Sequence, residues 1–392
     1  MLLLAQRSDS EPRSHGSGRA SGVCSGGEFV LPGEGEAYDS RNRGPNRKFR
    51  MRMFSVQPCK LCGRPSRLLN SEHCGYQRPD LYAIYECAYC DLQFAEPLRS
   101  TCGIYEHIYR NSPVLPGYAR YHRYASGVIQ QSDPLSWLAQ QECVYWFVRN
   151  VILQQRLGAD DSVYEIGSGL GYLTFALQCA GINATGLDIS ETAVLAATKH
   201  FGPYFRVAPA SAVSNIGSGT ASAVIMTELI EHVEKPEALL ADIRRLLRPG
   251  GLALITTPNK SIFPIGAYWR TENPPVHYWW FSETSMRNMA ARQNFEIAFF
   301  DFTDFNSFKV GRIKHSDAGM VQQSKPAMDE HGTPLCHDWT LSMALRNSIR
   351  AKSKRILCEI FGDARLAITR SAAAMGAQRS DAMGVVLRRP VD

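Results

Sequence analysis

The chain has 392 residues, 44% of them hydrophobic, and a formal net charge of +6. That length and apolar content accommodate one large domain and a small one. No apolar run approaches the roughly 18–20 residues of a membrane-spanning helix, which excludes that class, and the dispersed basic excess marks no nucleic-acid footprint by itself.

Residues 1–53 are rich in Gly, Ser, Arg and Glu and lack hydrophobic periodicity. They are expected to be disordered, or to precede the true start at Met51 or Met53. "MLLLAQ" has too short an apolar core for a secretory signal. With reduced thiols expected as well, the chain reads as cytoplasmic.

Residues 54–100 form a small cysteine module. Residues 101–132 are a Tyr-rich stretch, with 103–125 expected to be an irregular connector. Residues 134–156 carry apolar groups at helical spacing and predict one amphipathic helix.

A strand–helix alternation then starts and defines a core over 133–302. "SVYEIG" (162–167), "NATGLDIS" (183–190), "YFRVAPA" (204–210), "ASAVIMTE" (221–228) and "LALITTPN" (252–259) read as strands. Helices are expected near 173–181, 191–201, 236–251 and 282–293, then a strand over 295–302. Over 303–392 the expectation is an unstructured insert to 340, one or two helices between 341 and 377, and a last strand over 383–390. Apolar strands alternating with helices imply an α/β fold: a doubly wound, Rossmann-like seven-stranded sheet, preceded by the cysteine module.

"YEIGSGLGY" places Glu165, Gly167, Gly169 and Gly171 at the end of the first core strand. Such a turn lets the backbone approach a ligand closely. Asp188, at the end of the second strand, can accept hydrogen bonds from both ribose hydroxyls of a nucleoside. The spacing is G-x-G-x-G, not the G-x-G-x-x-G of a dinucleotide site. A carboxylate at Glu165 disfavours pyrophosphate and suits a ligand that carries an ammonium and a sulfonium.

Here the sequence resembles the class I S-adenosylmethionine-dependent methyltransferases. The resemblance covers roughly 130–302 and rests on "EIGSGLG", "GLDIS", "ELIEHV", "LLRPGGLALITTPN" and "HYWWFSETSMRNMAARQNFEI". It implies S-adenosyl-L-methionine as cofactor. Gly167, Ser168, Gly169 and Gly171 would surround its methionine part, Asp188 its ribose, and Ile189 would lie against the adenine. Thr227 and Glu228 would fall on the cofactor side of the crevice. For the adenine amino group, "APASAV" offers only Ser211.

"CKLC" (Cys59, Cys62) and "CAYC" (Cys87, Cys90) can close four thiolates around one tetrahedral Zn²⁺. Four thiolates leave no open position, so such a zinc is structural. A module of this size needs a staple to fold. Cys74 is a spare. The module resembles zinc-ribbon extensions of some bacterial methyltransferases that act on sugars or secondary metabolites; similar ribbons on RNA methyltransferases grip nucleic acid.

"IMTELIEHVEKPE" (225–237) puts Glu228, Glu231 and His232 at i, i+3 and i+4, on one face if the segment is helical. The pattern resembles that of ubiquinone-pathway O-methyltransferases and small-RNA 3′-end methyltransferases, where these positions hold a divalent metal. His277 would add a downstream ligand. Three readings stay open: a second divalent metal, His232 as a metal-free general base, or a structural His232, with Glu231 and His277 as the other candidate catalytic residues. Asn273-Pro274-Pro275 lies after the fifth strand and is set aside as an amino-group methyltransferase motif. Trp279 and Trp280 either close the acceptor pocket or pack in the core.

The leading expectation is S-adenosylmethionine-dependent methyl transfer to a small-molecule acceptor (a sugar, secondary metabolite or quinone-like compound), foremost at oxygen, with carbon or nitrogen as options. Two others stand beside it: an RNA methyltransferase gripping nucleic acid with its ribbon, and a non-catalytic binding protein on the same scaffold.

Overall fold

The structure is a computed structural model and describes residues 56–98, 102–115, 117–262, 273–308, 325–335 and 378–391. Residues 1–53 and the helices expected between 341 and 377 lie outside that set.

Strands β1 (Gln57–Pro58), β2 (Pro65–Cys74), β3 (Leu81–Cys87) and β4 (Leu92–Glu96) come first. Four helices follow: α1 (Cys102–Asn111), α2 (Ala119–Val128), α3 (Pro134–Ala139) and α4 (Cys143–Gln155). The alternation then runs β5 (Ser162–Ile166), α5 (Tyr172–Cys179), β6 (Asn183–Asp188), α6 (Glu191–Phe201), β7 (Phe205–Val207), β8 (Ala221–Thr227), α7 (Pro236–Leu246) and β9 (Leu247–Pro258). Last come β10 (Trp279–Trp280), α8 (Glu283–Arg292), β11 (Glu296–Phe299), α9 (Thr303–Phe308) and β12 (Ala382–Arg388).

The seven-stranded sheet has the order β11-β12-β9-β8-β5-β6-β7. Strands β5 to β9 run parallel, and β12 inserts antiparallel between β9 and β11. From β5 the chain winds outward to β7, then returns to lay β8 on the other side of β5. The carboxyl ends of β5 and β8 therefore border the switch point, where open α/β sheets bind ligands. Both faces are covered. Val224, Met226 and Ile255 pack into one core with α7 and α8, while Ala223, Ile225 and Leu254 pack into the other with α4 and α5. This is the period-2 alternation of a doubly covered strand.

Local chemistry sets the helix starts. Ser190 caps α6 by accepting from Ala193 N–H at 3.1 Å. Ser282 and Ser285 form a capping box on α8, and Pro236 opens α7 at a position that needs no N–H.

Three sequence expectations are corrected. The insert expected to be unstructured to 340 opens with the helix α9 (Thr303–Phe308), whose start is fixed by Asp301 accepting from Thr303 N–H at 2.8 Å. Residues 134–156 form two helices rather than one, with Glu142 extended between them (φ −141°, ψ 155°). Its carboxylate is held there by Arg120 Nε at 2.8 Å and the Tyr124 hydroxyl at 2.6 Å. The expected irregular connector over 103–125 instead forms α1 and α2. Its tyrosines recur every three or four residues and bury aromatic rings on one helical side.

The cysteine module is an antiparallel sheet of order β1-β2-β3-β4-β10. Its fifth strand is Trp279–Trp280, from far along the chain. Module residues Cys59, Leu61, Ile84, Leu92 and Phe94 share one hydrophobic cluster with Leu240, Ile243 and Met286 of α7 and α8.

Candidate functional site

The glycine turn follows β5. Gly167, Gly169 and Gly171 all have positive φ, at 78°, 51° and 80°, conformations that favour glycine. A Cβ on Gly169 would lie 2.7 Å from the Tyr109 hydroxyl, and one on Gly167 would lie 2.9 Å from Leu229 Cδ1. Gly167 and Ser168 N–H both donate to Leu187 O, at 2.7 and 3.0 Å, which locks the turn onto β6.

Asp188 ends β6. Its Oδ2 accepts from Gly169 N–H at 2.7 Å and its Oδ1 from Ser190 N–H at 2.9 Å. The carboxylate is thus aimed by the turns after β5 and β6, and burial pushes its pKa up. Ile189 stands beside it, 36% exposed. Glu165 lies beneath the turn and accepts from the Thr174 hydroxyl. Burial raises its carboxyl to about 8.

Across the switch point, β8 ends at Thr227. Glu228 follows with φ 51°, an uncommon conformation for a non-glycine residue. The expected helical face of Glu228, Glu231 and His232 is therefore not formed. Only Ile230–His232 makes a short 3₁₀ turn. Glu228 Oε1 is buried without a hydrogen bond among the described residues, and burial raises this carboxyl to about 7. The left-handed kink separates Glu228 from the pair that follows it.

Glu231 and His232 instead meet His277. Ligand atoms from these three residues lie within 4.8 Å of one another. His232 Nδ1 contacts the Val276 carbonyl at 2.5 Å, so its proton sits on Nδ1. His232 Nε2 lies 3.6 Å from Glu231 Oε1. Burial pulls His232 down to about 4, against hydrogen bonds to the Val276 and Glu228 carbonyls. Burial, then the neighbouring His232, holds His277 well below its usual value. The result is two neutral imidazoles and a fully buried carboxylate.

Several residues here were not singled out from sequence. Tyr105 and Tyr109, one turn apart on α1, both face the crevice. The Tyr105 ring meets His232 edge-on at 6.1 Å, and its buried hydroxyl makes no hydrogen bond among the described residues. Glu106 of α1 accepts from the Glu191 N–H at 2.7 Å and from the Thr192 hydroxyl at 2.6 Å, tying α1 to the start of α6. Arg120 lies over the Tyr121 ring at 4.7 Å and pairs with Glu142. The i, i+4 spacing of the tyrosines was the available signal.

The structure buries Trp279 and Trp280, at 4% and 1% exposure, in the core. The four cysteines converge: their sulfurs lie within 4.8 Å of one another, with Cys62 and Cys87 3.7 Å apart. Four thiolates about 2.3 Å from one zinc would be about 3.8 Å apart, so the set fits. Burial pushes the Cys59 thiol up to about 11, and a bound cation reverses that preference.

Residues 145–298 match the family of methyltransferase domains. Over those residues the chain carries a methyltransferase domain. Among curated relatives, the ubiquinone biosynthesis O-methyltransferase of Methylococcus capsulatus is 34% identical over 103 residues, covering 25% of this chain and 44% of that one. A probable S-adenosylmethionine-dependent methyltransferase of Mycobacterium tuberculosis is 29% identical over 126 residues, covering 31% of this chain and 46% of that one. The chain thus spans about half the length of the curated relatives it matches. A solved S-adenosylmethionine-dependent methyltransferase from Archaeoglobus fulgidus overlays 62% of this chain and 92% of its own, at 13% identity and a TM-score of 0.38. No described helix is long and apolar enough to cross a membrane. In this methyltransferase domain, the glycine turn and Asp188 lie on one side of the switch point and the Glu231–His232–His277 group on the other.

Proposed function

We propose that the protein transfers a methyl group from S-adenosylmethionine to an oxygen of a small-molecule acceptor. The observation that carries this is the pairing, across one switch point, of the glycine turn braced on Asp188 with buried acid/base groups at the end of β8. Orphaned polar atoms suit the cofactor: Ser168 Oγ and Glu228 Oε1 are buried without hydrogen bonds among the described residues. Asp188 would hold the ribose, with Ile189 over the adenine. Gly167 to Gly171 would admit the methionine part, Glu165 and Glu228 would face its ammonium, and Arg120, partly exposed and paired with Glu142, is a nearby cation for its carboxylate. The sulfonium activates the methyl group, so the chain mainly has to align the reactants and exclude water. The tyrosines of α1 and α2 provide that exclusion. His232, neutral and protonated on Nδ1, offers Nε2 to the acceptor's proton, with Glu231 beside it.

The convergence of Glu231, His232 and His277 supports a second reading at the same place: two neutral imidazoles and a carboxylate could hold a divalent cation, which would lower an acceptor hydroxyl's pKa. The four-cysteine module would hold a separate, structural zinc. An RNA acceptor has less support, because the module turns its apolar residues inward onto the methyltransferase domain. Titration calorimetry with S-adenosylmethionine tests the main reading. Micromolar binding is expected, and no heat at millimolar ligand would remove it. Mn²⁺ titration before and after His277→Gln separates the metal reading from the metal-free one.

A further inference from the structure

We infer that the four-cysteine module is a positioning device for the Glu231–His232–His277 group. In β10, Trp279 pairs with Phe94 and Trp280 with Gln93 of β4. One step earlier, Ala95 N–H donates to the Tyr278 carbonyl at 2.9 Å, and Tyr278 N–H donates to the Glu231 carbonyl at 2.9 Å. Two consecutive backbone hydrogen bonds therefore run from the module through Tyr278 to Glu231. His277 is the covalent neighbour of Tyr278. On its other side, the Val276 carbonyl holds His232. Trp279 Nε1 closes the circuit by donating to the Val233 carbonyl at 2.7 Å. The residues bearing the three groups are thus suspended between β10 and the turn after β8.

A second anchor reaches the same place from the cysteine turn. Glu86 and Asp91 flank the Cys87–Cys90 pair. Lys260, 3% exposed, contacts Asp91 and lies 3.3 Å from Glu86. Glu86 also accepts from Gln93 at 2.9 Å and from Arg67 at 2.8 Å. The Lys260 N–H donates to the Phe281 carbonyl at 2.9 Å, directly after β10. Separating a buried lysine from its carboxylates leaves uncompensated charge, so the cysteine turn and β10 move as one body. A change at the four thiols is transmitted to the histidine pair, whichever reaction the site performs.

The test is histidine ring carbon–proton NMR on the full chain loaded with one zinc, with His232 and His277 peaks assigned from His232→Gln and His277→Gln. A thiol-directed reagent that ejects the zinc should shift both peaks. The His200 peak should stay: this ring lies on α6, edge-on to Phe201 at 4.8 Å, and reports on the other core. Lys260→Met, which touches neither cysteines nor histidines, should shift the same two peaks with zinc content unchanged. Unmoved His232 and His277 peaks after complete zinc ejection would overturn the inference. If Lys260→Met also loses the His200 peak, it has unfolded and the reagent arm decides. Neither result depends on cofactor binding, which the calorimetry reports separately.

Discussion

The imidazoles of His232 and His277 meet edge to face, with ring centroids 4.4 Å apart and planes at 79°. A charged pair at that distance would repel in a buried setting, and burial keeps both neutral. Neutrality leaves lone pairs available, for a proton or for a metal. Position gives them meaning: they stand beside Glu231 at the carboxyl end of β8, across from the glycine turn.

His232→Ala should therefore lower turnover far more than it changes cofactor binding. Loss of a positioned base or metal ligand costs about 10²–10⁴ in rate, whereas S-adenosylmethionine affinity should stay within about threefold. Transfer of labelled methyl groups to a panel of phenolic and sugar acceptors, with calorimetry alongside, separates the two effects. Wild-type turnover would assign His232 a structural role.

Asp188 makes the opposite prediction. Its two oxygens are already aimed by Gly169 and Ser190 N–H, so the carboxylate needs no reorganisation to meet a ribose. Asp188→Ala should weaken S-adenosylmethionine by at least tenfold, since hydrogen bonds to a charged group contribute about 1.5–3 kcal/mol. Asp188→Asn should lose less, because one oxygen can still accept from the turn. An unchanged calorimetric affinity for Asp188→Ala would remove the ribose assignment.

The strands were legible because β-branched runs such as "SVYEI" and "ASAVIMT" are bounded by glycine and loop chemistry, and the glycine turn because its spacing is itself the geometry. The break at Glu142 was not. It depends on Arg120 and Tyr124, contacts that no local pattern encodes. The left-handed Glu228 was hidden for the same reason: "TELIEH" has helical spacing, yet the backbone turns at its second residue. Pairing of Trp279 with Phe94 joins segments far apart in sequence, so a module that reads as a separate bead shares its sheet with the methyltransferase domain. The tyrosines of α1 and α2 carried a helical period that composition alone concealed.

Elemental analysis of gently purified protein should find about one zinc per chain. Its removal should lower the thermal midpoint well beyond the few degrees that about 1 kcal/mol shifts a domain of this size, because Cys59, Cys87 and Cys90 lie inside the core cluster shared with α7 and α8. Protein that contains no metal, or that melts unchanged after chelation, would refute a structural zinc.

Glu165 predicts a pH dependence with a definite sign. Its carboxyl is raised by burial to about 8 in the folded chain, against 4.5 for the ordinary group. Below pH 4.5 both folded and unfolded chains hold the proton, and its stabilising effect is fully present. Between 4.5 and 8 the unfolded chain ionises while the folded chain does not, so rising pH favours unfolding by up to about 1.4 kcal/mol per pH unit. Glu165→Gln cannot ionise and should remove that slope. Urea midpoints at pH 5 and pH 7.5, without cofactor, should fall further for the wild type than for the variant. S-adenosylmethionine should narrow the difference if its ammonium faces Glu165, because a cation stabilises the ionised carboxylate and draws the proton off on binding. Equal slopes for wild type and variant would mean that Glu165 ionises normally in the fold, and the calorimetric signal would then show no proton release.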